Sequence, residues 1–236
     1  MPDYRTLEQQ ITEALGLNRR PVAVTFARSA PAGVRKFGGT EPAGCGFWRL
    51  AERGLVFYTE PGDHYNCAIG CYTHSVALPA ERASELDQML TFMMQLGYIK
   101  PEDVPRITQL RETPRFFIYA PLGEAPVAPD AVLFAGRPAT MMLLNEAALR
   151  AGVGTQSANL GRPTCMALPA ALERGAVLST GCVGNRIYTG IGDDELYVAV
   201  RGGDVERVAA AAQTIATANA RLGEYHRARR QELSRD

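Results

Sequence analysis

Short apolar runs of strand character alternate along this chain with stretches of helical periodicity, and that alternation most restricts what it can fold into. Six runs, 21–26, 55–59, 115–120, 131–135, 176–179 and 195–200, are rich in β-branched and aromatic residues and are bounded by Gly, Pro or charge. Between them, Leu7, Ile11, Ala14 and Leu15 recur at helical spacing before Gly16, and Leu86, Met89, Leu90 and Met93 do so before Gly97. Further helices are predicted near 46–52, 140–151 and 165–173, with a long final one from about 204 to 221 or beyond. Strands and helices are mixed throughout, so the expected class is α/β or α+β, a mixed sheet with flanking helices. A chain of 236 residues is at the upper end of what one core supports. The expectation is a single domain over 1–236, with possible halves 1–114 and 115–236 meeting after a Pro- and charge-rich connector.

An internal echo underlies the expectation of halves. Cys45 begins a short helix that runs into Glu52-Arg53-Gly54, a hydrophobic strand and then Cys67. Cys165 begins another that runs into Glu173-Arg174-Gly175, a strand and then Cys182. With one residue gapped the two align, which predicts pseudo-repeated halves that each deliver two cysteines to a shared interface.

The charge balance narrows the partners. Twenty-five basic and 25 acidic residues cancel, so no long-range field gathers phosphate backbones, and nucleic acid is not an expected partner. Near-neutrality is compatible with a homodimer. No basic segment followed by an apolar stretch opens the sequence, and no run of about 18 apolar residues exists to span a bilayer. The expectation is a cytoplasmic protein without membrane contact. In a reducing compartment five cysteines are ligands or reactive thiols before they are disulfides, and an odd number cannot all pair within one chain.

The densest chemistry is His64-Tyr-Asn-Cys67-Ala-Ile-Gly-Cys71-Tyr-Thr-His74. On one helix, positions 64, 67, 71 and 74 share a face. At about 1.5 Å per residue the two histidines would then stand roughly 15 Å apart, too far for one ion. A complete site must import ligands, and Cys45, Cys165 and Cys182 are available. Cys45 and Cys182 have glycine neighbours (Gly44, Gly46, Gly181), which bring backbone and its N–H groups close to an inorganic group. Such settings suit a [4Fe–4S] cluster. Zinc would also accept four thiolates, but the close Cys-x2-Cys pairs of zinc fingers are absent. Cys165 and Cys71 read equally well as buried apolar thiols. His64, after the turn Glu60-Pro-Gly-Asp63, is a candidate proton donor near neutral pH. Arg186 is a candidate anchor for an anion or for cluster charge, or else an ion-pair partner of Asp193, Asp194 or Glu195. His74 and His226 read as surface residues. No phosphate-binding Gly-rich loop and no G-x-S-x-G element is present.

Arg20-Pro-Val-Ala-Val-Thr-Phe26, Asp63-His-Tyr-Asn-Cys67-Ala-Ile-Gly70, Gly181-Cys-Val-Gly-Asn-Arg-Ile-Tyr-Thr189 and Asp193-Asp-Glu-Leu-Tyr-Val198 together resemble domain-of-unknown-function family 169. The resemblance spans about residues 20–200. It implies a prokaryotic cytoplasmic protein, singles out Cys45, Cys67, Cys165 and Cys182, and marks Cys71 as an addition to the pattern. It supplies no reaction.

The leading expectation is therefore a [4Fe–4S] protein ligated by Cys45, Cys67 and Cys182, with Cys165 as fourth ligand and Cys71 as substitute. Four thiolates imply an electron-transfer partner. Three leave an iron open as Lewis acid for a small molecule, with His64 and Arg186 beside it. The alternatives are a metal-free reactive thiol, in a sulfur carrier or redox sensor, and a zinc- or haem-binding module.

Overall fold

The computed structural model describes residues 2–154 and 163–234. In chain order the elements are α1 (Tyr4–Leu15), β1 (Val22–Ala27), β2 (Arg35–Lys36), α2 (Gly44–Glu52), β3 (Phe57–Thr59), α3 (Ala68–Thr73), α4 (Glu85–Gln95) and β4 (Phe116–Pro121). There follow β5 (Ala131–Gly136), α5 (Pro138–Arg150), α6 (Ala167–Arg174), β6 (Ala176–Ser179), α7 (Val183–Thr189), β7 (Leu196–Arg201) and α8 (Val205–Leu233). Single 3₁₀ turns at Pro61–His64 and Thr164–Met166 matter below.

The local signals act where the sequence puts them. Asp3 caps α1 by accepting from the N–H groups of Arg5 and Thr6. Gly16 closes it in the left-handed region at φ 64°. The apolar stripe Leu7, Ile11 and Leu15 is buried between these caps.

The strands form one sheet of order β2-β3-β4-β1-β5-β7-β6. Only the edge pair β2 and β3 is parallel. The class is α/β, as expected. In the first part, β4 lies antiparallel between β1 and β3. In the second, β7 lies antiparallel between β5 and β6. The first strands of the two parts, β1 and β5, meet at the centre in a ladder of three residue pairs, Val22 with Leu133, Ala23 with Val132 and Val24 with Ala131. Just past that ladder the Asp130 carboxylate accepts from the Phe26 N–H at 2.7 Å. β4 thus ties β1 to β3 on one side of the central ladder.

Side chains alternate across the strands and sort the helices into two layers. Ala23, Val132, Phe134, Val198 and Val200 face α1, α5 and α8. Val24, Phe117, Tyr119, Leu133, Tyr197 and Ala199 face α2, α3 and α6. At the edge of the second layer Arg19 binds Glu52 at 2.8 Å and Glu195 at 2.6 Å, and Arg49 binds Glu52 at 2.6 Å. This cluster ties the end of α2 to the start of β7. Among the described residues no helix is long and apolar enough to cross a membrane.

Candidate metal centre

All five cysteines lie in or beside the second layer, and four of them are brought together by helix starts. After β3 the chain turns through Pro61–His64 and reaches Cys67, whose extended backbone (φ −134°, ψ 98°) stops the turn from running on as helix. Its Sγ then caps α3 by accepting from the Gly70 N–H at 3.3 Å. After β6 the same event recurs. Cys182 is extended, and its Sγ caps α7 by accepting from the Asn185 N–H at 3.4 Å. Cys45 sits in the first turn of α2, which packs against α7. Cys165 sits in the Thr164–Met166 turn, and the Cys182 N–H donates to Thr164 Oγ1 at 2.5 Å.

Mutual electrostatics mark the four thiols as neighbours. Burial raises the Cys165 thiol well above its ordinary range, and negative charge on Cys67, Cys182 or Cys45 would raise it further. Burial likewise pushes Cys45 up to about 12, with Cys67 and Cys182 adding to it and Asn185 opposing. Cys67 is raised by burial and eased by the Gly70 amide. Unligated, Cys45, Cys67 and Cys165 are protonated at neutral pH. Among the described residues no three Cys, His, Asp or Glu side chains close on one point as ligands of a single ion.

The layer around Cys45 also holds buried polar atoms without a hydrogen-bond partner among the described residues. His64 is 2% exposed, and its ring is 4.1 Å from Phe117 and 5.1 Å from Phe47, centre to centre. Its Nε2 pairs with Thr59 Oγ1 at 2.8 Å, while Nδ1 has no partner among the described residues. Gly44 is needed here, because a Cβ at that position would stand 2.9 Å from Nδ1. The Tyr119 hydroxyl and both amide atoms of Asn185 are buried without a partner among the described residues as well. Buried polar groups are seldom left unpaired, so a group of such atoms sets this layer apart from ordinary apolar packing.

Several expectations change. The stretch from His64 to His74 is not one helix, because Cys67 restarts it. The two rings consequently lie 6.1 Å apart instead of at opposite ends of a rod. His74 is buried against Phe117 at 5.6 Å and is not a surface residue; burial lowers it to about 4. His64 is also held well below its usual range by burial and by His74, so it is a neutral hydrogen-bonding ring rather than a proton donor that titrates near pH 7. Arg186 donates to the carbonyls of Gly192 at 2.8 Å, Thr180 at 2.5 Å and Glu195 at 3.0 Å, with Asp193 at 3.9 Å. It fastens the loop around α7, and Asp193 is one of the ion-pair partners expected for it from the sequence. Cys71 is a buried thiol whose S–H donates to the His64 carbonyl at 3.1 Å, and its electrostatic neighbours are Cys67, Arg82 and Glu85 rather than the other three cysteines.

Sequence reasoning missed Asn185, Tyr119, Thr59 and Thr164. The signal for Asn185 was available in the paired spacings Cys67-x-x-Gly70 and Cys182-x-x-Asn185, where the fourth residue supplies the amide that caps the sulfur.

With this arrangement in hand, comparison with known proteins is informative about kinship. The family model DUF169, described as "Uncharacterised ArCR", matches residues 10–211. The chain belongs to that family. The matched DUF169 region contains all seven strands described above and all five cysteines. An uncharacterized protein of Methanocaldococcus jannaschii is 26% identical over 211 residues, which cover 84% of this chain and 88% of that one. No solved structure matches.

Proposed function

We propose that this chain is an iron–sulfur protein that holds a [4Fe–4S] cluster between Cys45, Cys67, Cys165 and Cys182 and serves a redox role, exchanging electrons with a partner. What supports the proposal is that cysteines from four separate segments lie within electrostatic reach of one another, in a layer with buried polar atoms that have no partner among the described residues. In a cluster each thiolate meets its own iron, so four sulfurs surround a volume instead of a point. That suits these thiols better than one zinc ion, which needs all four at about 2.3 Å. Bound there, the cluster would supply a one-electron couple. The chain would supply the four ligands, the capping N–H groups of Gly70 and Asn185 that offset thiolate charge, and an aromatic wall of Phe47, Phe117 and Tyr119 that limits water. The matched order of strands in the two parts supports gene duplication as the source of the two cysteine pairs.

A free thiolate as nucleophile or sulfur carrier is opposed by the same burial that raises Cys45, Cys67 and Cys165, since such chemistry needs a lowered thiol. Anaerobic purification, with iron, acid-labile sulfide and zinc measured per chain, tests the proposal. About four irons and four sulfides are expected. A colourless protein with one zinc, or with no metal after reconstitution under argon, overturns it. Loss of one iron on brief oxidation with the fold intact would identify a three-thiolate centre, open to a small molecule as Lewis acid.

A further inference from the structure

Cys67 and Cys182 each take a hydrogen bond from the third residue of the helix they cap. Cys45 lies within its helix and looks instead toward α7. The residue it meets there is Asn185, the same residue whose backbone N–H caps Cys182.

Asn185 is held firmly in place. Its carbonyl accepts from Thr189 Oγ1 at 2.8 Å one turn on. Gly181, in the left-handed region at φ 81°, brings the loop so near that a Cβ would stand 3.2 Å from Asn185 Oδ1. The side chain is 1% exposed and adjoins the Cys45 thiol and the Tyr197 hydroxyl. Neither amide atom has a formed hydrogen bond among the described residues. An amide so confined and unpaired is arranged for an acceptor stronger than a neutral thiol. A metal-bound thiolate or inorganic sulfide is such an acceptor.

We propose that Asn185 is a positioning residue for the cluster, donating through its backbone to the Cys182 sulfur and through its side-chain amide to sulfur at Cys45, and so raising the reduction potential. It is the residue that joins a thiol from the first part of the chain to one from the second. The inference rests on the iron–sulfur reading above. Donors to cluster sulfur favour the reduced, more negative state, so removing one makes reduction harder.

The test measures iron and sulfide per chain together with the midpoint potential, for wild type, Asn185→Ala and Asn185→Asp, all anaerobically. Asn185→Ala should keep the cluster and shift the reduction equilibrium roughly tenfold toward the oxidised form, about 59 mV more negative for one electron. Asn185→Asp, equal in size and able to carry negative charge, should shift it at least as far in the same direction, and it carries the test if the alanine variant does not fold. A clustered wild type whose potential moves less than about twofold in either folded variant overturns this inference alone. A wild-type chain lacking iron and sulfide overturns both.

Discussion

The two helical layers that sandwich the sheet differ in kind. The layer of α1, α5 and α8 is filled by aliphatic side chains such as Ile11, Leu144, Val198 and Val208, together with Phe134 and Met141. Of its helical residues only Thr12 leaves a buried polar atom unpaired. The layer of α2, α3 and α6 contains Cys45, Cys71, Trp48, Tyr119 and Tyr197. It also contains the unpaired atoms of His64, Trp48, Tyr119 and Asn185. Leaving a buried donor or acceptor unsatisfied costs about 1–3 kcal/mol. Several in one place are hard to account for as packing, whereas the aliphatic layer is sufficient to hold the sheet. Aliphatic packing and unpaired polar atoms thus lie on opposite sides of the same strands.

The largest expected effect would break that division or confirm it outright. Cys182→Ser should lower retained iron by an order of magnitude or more after anaerobic desalting, with the denaturation midpoint of the metal-free chain nearly unchanged. Next, Phe134→Ala on the aliphatic side should destabilise the fold by about 3–5 kcal/mol in denaturant titrations while iron per folded chain stays at the wild-type value. If iron falls with it in proportion, the two layers are not separable.

A smaller effect concerns the polar edge. Arg19 holds the Glu195 carboxyl at about 2, below the ordinary 4.5, with help from the Gly192 N–H. A depressed carboxyl stabilises the fold fully above about pH 5, and the contribution is lost as pH falls from 4.5 toward 2. Glu195→Gln should therefore cost roughly 1–3 kcal/mol at pH 7, a difference that narrows below pH 4.5 in unfolding curves measured across that range. Smallest of all, Tyr119→Phe removes a buried hydroxyl without a partner. It should change the stability of the metal-free chain by less than about 1 kcal/mol, in the stabilising direction if at all. A large loss would mean that the hydroxyl is satisfied in solution and that the polar pocket is smaller than described.

Much of the fold was legible because period-2 and period-3.6 patterns report burial directly. Strand 176–179 and the helix beginning near residue 4 fall where the patterns place them. Strand β2, two exposed residues long, carries no such pattern. Helix α7 was hidden by Gly181, Gly184 and Gly190, which read as loop, and because three of its largest residues, Val183, Ile187 and Tyr188, face outward. At the candidate site, the cysteines named from the sequence lie in segments that the fold packs in or beside one layer. The break at Cys67 was not legible, because a cysteine has little preference for ending or starting helices and only the Gly70 contact reveals it. Nor was the burial of His74, whose immediate neighbours Thr73 and Ser75 are polar and whose aromatic contacts come from distant strands. Arg186 misled for a related reason: its three carbonyl partners are ordinary backbone, invisible in composition.

The short ladder between β1 and β5 has a consequence for how such chains can diverge. Sliding β5 by a single position would turn Ala131, Leu133 and Ala135 away from the thiol side and put Val132 and Phe134 in their place. Insertions should therefore be accommodated at the rims of this sheet and excluded from its midline.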